Sequence, residues 1–121
     1  MATFTTFEDI RAWQKARALT SQIYRVSKRR GFSSDRDLVR QMRRASVSVM
    51  SNIAEGFERH SRKEFHQFLG IARGSAGELR AQLYVAKDAG YIEEALFEEL
   101  HAEAHDVARI LSGLMQHLRQ Q

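Results

Sequence analysis

One set of side chains that could do chemistry lies in a glutamate- and histidine-rich stretch near the end of the chain. Glu98 and His101 have the Glu-x-x-His spacing of di-iron helical bundles, and His105 follows His101 at i+4. A di-iron site requires two such motifs and two further carboxylates, and this sequence has one motif. All three residues also fall off the apolar face of their helix. We therefore interpret them as a solvated acidic surface and expect neither a metal nor another cofactor.

A second set is basic and could bind phosphate. Its members surround a predicted turn between the second and third helices: Arg43, Arg44, Arg59, Arg62 and Lys63, with Arg40 and Arg73 as extensions. Guanidinium groups bind phosphate bidentately, and such clusters give salt-dependent affinity for RNA or DNA regardless of sequence. The alternative is a solvated surface, or one paired with Glu55, Glu58 and an acidic fourth helix. The charges alone leave both interpretations open.

Nucleophilic and buried polar residues give weaker signals. Ser75 lies in Gly-Ser-Ala-Gly, which is not the Gly-x-Ser-x-Gly nucleophile elbow, so we expect it to serve packing. Asn52 and Glu55 suggest groups that satisfy the backbone at the end of the second helix, with a buried polar site as the alternative. We identify no catalytic residue and no small-molecule site, and we predict that the protein is not an enzyme.

The elements that must position these groups are helices. The chain of 121 residues has no proline and seven glycines, which suits long helices better than a turn-rich β protein. Apolar residues recur at spacings of three and four in four segments, about residues 6–30, 35–56, 62–89 and 93–119. Short loops join them. The sequence therefore predicts one all-α domain over residues 1–121, an antiparallel up-down-up-down four-helix bundle.

Capping residues set the expected helix ends. A Ser or Thr followed three residues later by an acidic residue is a cap signal, and it occurs at Thr5, Ser34 and Ser61. Gly31 and Gly56 follow apolar stripes and are expected to stop the first and second helices.

Three glycines inside the predicted third helix require an explanation, because each costs about 0.8–1 kcal/mol relative to alanine. Gly70, Gly74 and Gly77 fall on one flank of that helix. Their spacing is typical of small residues that let two helices approach closely. We therefore predict that they form a groove for helix packing.

Charge is distributed unevenly along the chain, whose net charge is +4. Residues 1–56 contain 11 basic and 5 acidic residues, whereas residues 91–121 contain 2 and 6. This polarity indicates a basic surface for an anionic partner, basic and acidic faces that meet in an oligomer, or neighbouring helices of one fold.

Location is inferred from what the sequence lacks. It contains no cysteine, which fits a reducing compartment, and its start does not resemble a signal peptide. No apolar run approaches the ~20 residues of a membrane span. We expect a cytoplasmic protein that does not enter a membrane.

Several blocks of the sequence resemble, in the same order, those of a known family. They are Phe7-Glu8-Asp9-Ile10 with Trp13-Gln14-Lys15-Ala16, Gln41-Met42-Arg43-Arg44-Ala45, Ser51-Asn52-Ile53-Ala54-Glu55-Gly56, Lys63-Glu64-Phe65 with Phe68-Leu69, and Ala72-Arg73-Gly74-Ser75 with Glu78-Leu79. Over about residues 7–90 the chain is similar to the four-helix bundle proteins encoded within bacterial 23S ribosomal RNA intervening sequences. It departs at residues 31–34 and at Met50, where proline is common.

The resemblance implies a homo-oligomer, specifically a pentamer. The related accessory proteins of diversity-generating retroelements are similar bundles that form five-membered rings and bind nucleic acid and a reverse transcriptase. The resemblance implies no catalytic residues. The function it favours is a non-enzymatic bundle that binds RNA or DNA, and the alternative is a protein-interaction scaffold with no nucleic-acid ligand.

Overall fold

The computed structural model describes residues 4–120, which form helices and no strand. Four of these are α-helices: α1 (Arg11–Val26), α2 (Arg36–Glu58), α3 (Arg62–Asp88) and α4 (Glu94–Arg119). Two short 3-10 turns, Phe7–Asp9 and Phe32–Ser34, precede α1 and α2. The predicted all-α class is confirmed. No helix in the described part of the chain is both long and apolar enough to cross a membrane.

Neighbouring helices run antiparallel. On α2 and α3 the hydroxyl oxygens of Ser48 and Ser75 lie 2.8 Å apart, whereas the later α2 residue Gly56 packs against the earlier α3 residue Phe68. The contacts of α1 with α2, of α3 with α4 and of α1 with α4 show the same reversal. Packing is concentrated between consecutive helices and between α4 and α1. The four helices therefore form the up-down-up-down bundle that the sequence predicts.

The apolar stripes meet in a core with two halves. One half contains the C-terminal parts of α1 and α3 and the N-terminal parts of α2 and α4, with Leu83 and Leu100 fully buried. The other half contains the opposite ends of the same helices, with Ile53 and Leu69 fully buried. Each of the four helices therefore contributes side chains to both halves of the core.

The start of α1 differs from the prediction. The helix begins at Arg11, and the residues before it form the Phe7–Asp9 turn. The Asp9 carboxylate accepts hydrogen bonds from the backbone N–H groups of Thr5 and Thr6 at 3.0 and 3.1 Å. The predicted cap at Thr5 with Glu8 is therefore wrong, because Asp9 satisfies these donors one turn earlier than the helix begins.

The ends around α2 were predicted in part. The cap of α2 is Asp35 rather than Ser34, since the Asp35 carboxylate accepts from the Leu38 N–H at 3.2 Å. The cap of α3 is Ser61 as predicted, with its hydroxyl accepting from the Glu64 N–H at 3.2 Å. Helix α1 ends at Val26, before Gly31, whose φ of 90° belongs to the connection that follows.

Gly56 does not stop α2, which continues to Glu58. It is buried against α3, and a Cβ placed on it would lie 2.5 Å from Phe68 Cβ. The turn into α3 is made instead by His60, whose φ is 55°. The glycine is therefore required by a close approach of two helices, not by a helix end.

The three glycines of α3 have different surroundings. A Cβ on Gly70 would lie 3.5 Å from Met115 Cε, an ordinary contact with α4. A Cβ on Gly74 or Gly77 would meet no described atom within 4 Å. Neither residue faces a helix of its own chain, so the groove expected at Gly74 and Gly77 stays a prediction and now requires a second molecule.

Candidate nucleic-acid interface

The seven basic residues predicted to cluster do not share one surface. Helix α2 places Arg43 and Arg59 sixteen residues apart, which is about 24 Å along its axis. Arg40, Arg43 and Arg44 face α1, Arg59 lies at the turn between α2 and α3, and the other three lie towards α4. The expected single cluster around that turn is corrected to three separate groups.

The first group lines a cleft of about 720 Å³ between the C-terminal half of α1, the Phe32–Ser34 turn and the N-terminal half of α2. We call it the α1/α2 cleft. Five cationic side chains line it: Lys28, Arg36, Arg40, Arg43 and Arg44. Its apolar surface comes from Tyr24, Val39 and Val47. No carboxylate is among the lining residues, so the cleft is a positively charged concavity with an apolar floor.

Arg43 is the fixed member of this group. Its Nε donates to the Ser27 hydroxyl at 2.9 Å, and its Nη2 donates to the Tyr24 carbonyl oxygen at 3.3 Å. The guanidinium carbon lies 4.5 Å from the centroid of the Tyr24 ring. These contacts hold the guanidinium against α1, so Arg43 shapes the wall of the cleft and orients Tyr24.

The other cations of the cleft are available to a ligand. Lys28, Arg36 and Arg44 make no hydrogen bond or ion pair with any residue in the described part of the chain. Arg40 makes one loose ion pair with Asp37 at 3.8 Å, and both side chains are more than half exposed. Exposed pairs of this kind contribute little, so an arriving phosphate would compete easily.

Arg59 is committed to its own chain. Its guanidinium pairs with Glu55 at 3.0 Å and with Glu64 at 3.5 Å, and it lies 5.0 Å from the Phe68 ring centroid. The structure thus shows the pairing with Glu55 that the sequence had left as an alternative. Arg59 ties the end of α2 to the start of α3.

The third group lies in the groove between α3 and α4, on the opposite side of the bundle from the α1/α2 cleft. Arg62 and Lys63 line a depression of about 620 Å³ together with Arg119. Arg73 lines a second one of about 530 Å³ and donates to the Ser112 hydroxyl at 3.1 Å. These shallow depressions are separate from each other and from the cleft.

Two polar residues of α2, Ser48 and Asn52, are half-buried on the side that faces α3. Asn52 Nδ2 donates to the Ser48 carbonyl and hydroxyl oxygens at 2.8 and 3.0 Å, and the Ser48 hydroxyl bonds that of Ser75. Asn52 was expected to close the helix end, but α2 runs on to Glu58. It instead supports a polar bridge to α3, in which Ser75 has the packing role predicted for it.

The Glu-x-x-His stretch forms no cation site in the described residues, where no group of three or more His, Cys, Asp or Glu side chains could hold a metal. His101 packs against the rings of Tyr84 and Phe97, at centroid distances of 5.4 and 5.3 Å, and these two rings also contact each other. Burial lowers the pKa of His101, and the positive charge of Arg80 and the neighbouring His105 lower it further. The imidazole is therefore neutral at pH 7 and acts as a packing group.

Residues 8–113 match the protein family described as 23S rRNA-intervening sequence protein. The chain belongs to this family. A crystal structure of a protein of unknown function from the S23 ribosomal protein family of Bacteroides thetaiotaomicron is similar to it, with a TM-score of 0.78 at 20% identity over 87% of this chain and 95% of that one. At that identity the likeness concerns the fold alone. No curated protein shows significant similarity to this chain.

In this 23S rRNA-intervening sequence protein, three members of the cleft were not predicted from the sequence: Tyr24, Lys28 and Arg36. The sequence did contain a signal for part of this cleft. Arg36, Arg40 and Arg44 are spaced four residues apart, so they share one face of a helix. Tyr24 and Lys28 show the same spacing at the end of the predicted first helix, although α1 itself ends at Val26. What the spacing could not show is that these two faces border the same cleft.

Proposed function

We propose that this protein is a non-enzymatic helical bundle that binds RNA or DNA through the α1/α2 cleft. The observation that supports it is the set of five cations around one concavity with no carboxylate among the lining residues. Four of them have no partner or a loose one in the described chain, so little internal pairing must be broken when a phosphate binds. The proposal moves the binding surface from the α2–α3 turn to the cleft.

The arrangement suits a polyanion better than a single anion. Arg36, Arg40 and Arg44 follow one another along one face of α2, about 6 Å apart for each four-residue step. A row of guanidiniums can contact successive phosphates of one strand, each contact releasing condensed counterions.

A salt titration tests this function. A fluorescently labelled RNA of about 12 nucleotides is titrated with the protein, and anisotropy is measured from about 50 to about 300 mM salt. Four available cations predict a slope of log K against log salt near about −3 on a single strand. No binding at low salt, or binding with a flat salt response, would contradict the proposal.

Charge-neutral variants locate the surface in the same assay. Arg36→Gln and Arg44→Gln should each make the slope less steep by about 0.7. Arg11→Gln, beside Asp106 near the other end of α1, and Lys63→Gln, at the α2–α3 turn, remove the same charge elsewhere and should leave the slope unchanged. If Lys63→Gln lowers the slope and Arg44→Gln does not, the surface lies at the turn.

We also propose that the protein is a homo-oligomer, and the ring of five is the form that the resemblance implies. The outward face of α3 supports this proposal, because Ile71 and Val85 are each 52% exposed and Gly74 between them has open space. Two exposed apolar side chains on one side of a helix, with open space at a glycine between them, can take part in a contact with a second molecule. Its occupant is a second copy in this proposal, and a different protein is the alternative.

Light scattering of the intact chain measures the oligomer directly. The unmodified protein should give one mass that is a multiple of the chain mass, and Ile71→Lys with Val85→Lys should shift it to the monomer, because two ammonium groups would be buried without partners. Ala102→Lys on the exposed face of α4 is the matched control and should keep the mass. A monomeric unmodified protein would remove the proposal.

A further inference from the structure

The α1/α2 cleft contains an aromatic ring that phosphate binding does not use. Tyr24 lines the cleft and is 39% exposed, although large apolar side chains are usually covered. One side of its ring is covered by the Arg43 guanidinium, which is itself held by Ser27. These contacts orient the ring, and the exposed part of Tyr24 lies in the lining of the cleft.

The floor beside this ring is also apolar. Val47 is 37% exposed and Val39 is half-buried, and both line the same cleft. The Ser33 hydroxyl, also in the lining, makes no hydrogen bond to a described residue. An aromatic wall, an apolar floor and a free hydroxyl form a place for a flat heterocycle with polar edges, inside a border of cations.

A duplex does not fit this combination. Its bases are paired and stacked inside, so it presents phosphates, sugars and base edges but no free base face to stack on the ring. A single strand has unpaired bases that stack on aromatic side chains while its phosphates follow a basic groove. The cleft is an open concavity of about 720 Å³, which is large enough to admit one nucleobase.

We propose that the α1/α2 cleft takes an unpaired nucleobase against Tyr24, so that the ligand is single-stranded nucleic acid and not a duplex. This inference rests on the proposed function and adds the part of the ligand that the cleft recognises. Arg36, Arg40 and Arg44 hold the phosphates on either side of the base, and Tyr24 supplies the stacking surface. Because every base has a π-face, the preference is for single strands in general.

The test compares three probes that differ in their bases. They are a labelled single-stranded DNA of about 12 nucleotides, the same length of abasic backbone, and the duplex of the same sequence. The single strand should bind about 5- to 150-fold more tightly than the abasic strand, which corresponds to stacking of one base. It should also bind more tightly than the duplex at equal salt.

Substitutions of the ring assign the difference to Tyr24. Tyr24→Leu should lower affinity for the single strand to that for the abasic strand and leave abasic binding unchanged, which also shows that the cations are still in place. Tyr24→Phe should restore the difference. Tyr84→Leu, which removes a comparably exposed ring on α3, is the control and should leave the affinity for all three probes unchanged.

The outcomes separate the two proposals. Salt-dependent binding that is equal for single and abasic strands, or tighter for the duplex, would overturn the base-binding inference and leave the proposed function intact. Absence of binding to all three probes at low salt would overturn both.

Discussion

Gly56→Ala is expected to destabilise the protein by about 1–3 kcal/mol, although alanine is the better helix former. The added Cβ would lie 2.5 Å from Phe68 Cβ and 3.2 Å from Phe65 Cδ1. A Cβ is fixed to its backbone and cannot rotate away, so α2 and α3 would have to move apart. Urea unfolding followed by far-UV circular dichroism measures the loss as a lower midpoint.

Gly113→Ala is the matched control on α4. Gly113 is also helical, but a Cβ there would meet no described atom within 4 Å. It should therefore stabilise the chain by about 0.8–1 kcal/mol, the ordinary gain of alanine over glycine. Equal shifts for the two variants would show that α2 and α3 are not in close contact at Gly56.

Asp35→Ala is expected to cost about 1–3 kcal/mol, because one carboxylate serves two connections. One of its oxygens caps α2 by accepting from the Leu38 N–H at 3.2 Å. The other accepts from the Tyr91 hydroxyl at 2.9 Å, and the Tyr91 ring stacks on Phe32 at a centroid distance of 5.1 Å. The variant loses the cap and leaves a half-buried hydroxyl without its acceptor.

A double-mutant cycle separates the two roles of Asp35. Tyr91→Phe removes only the second bond and should cost less than Asp35→Ala. The double variant should lose less unfolding free energy than the two single variants together, because the same hydrogen bond is lost in both single variants. Full additivity of the two unfolding free energies would show that the hydroxyl does not bind Asp35.

The same hydrogen bond gives the stability a dependence on alkaline pH. The bond to Asp35 raises the pKa of Tyr91, and burial and the carboxylate charge raise it further. Because the folded pKa lies above the unfolded value of 10.0, the contribution is complete below that pH and is lost as pH rises through the folded pKa. Tyr91→Phe should remove this part of the alkaline response.

Local signals predicted the helices better than their ends. Ser61 was identified as a cap because its hydroxyl and the Glu64 N–H belong to one turn, and one turn is visible in a short stretch of sequence. Thr5 and Ser34 carry the same signal, but Asp9 and Asp35 provide the carboxylates that the structure uses. Competing acceptors one residue apart cannot be ranked without the path of the chain between helices.

The sequence by itself determined the class of the fold and the family. Apolar residues at spacings of three and four, with no proline to interrupt them, can bury their apolar surface only when the segments form helices that pack side by side. Each periodicity is a property of one segment and does not depend on how the helices are arranged. It therefore predicts four helices but not which polar faces lie next to each other.

The tertiary structure decided which residues act together. Arg43 and Arg59 were predicted to share one cluster but lie about 24 Å apart along α2, whereas Tyr24 on α1 contacts Arg43 directly. Gly56 was predicted to stop a helix, but it lies where α2 packs closely against Phe68 of α3. The reason is physical: a site and a close approach are set by distances between helices, and those depend on how side chains from distant segments pack.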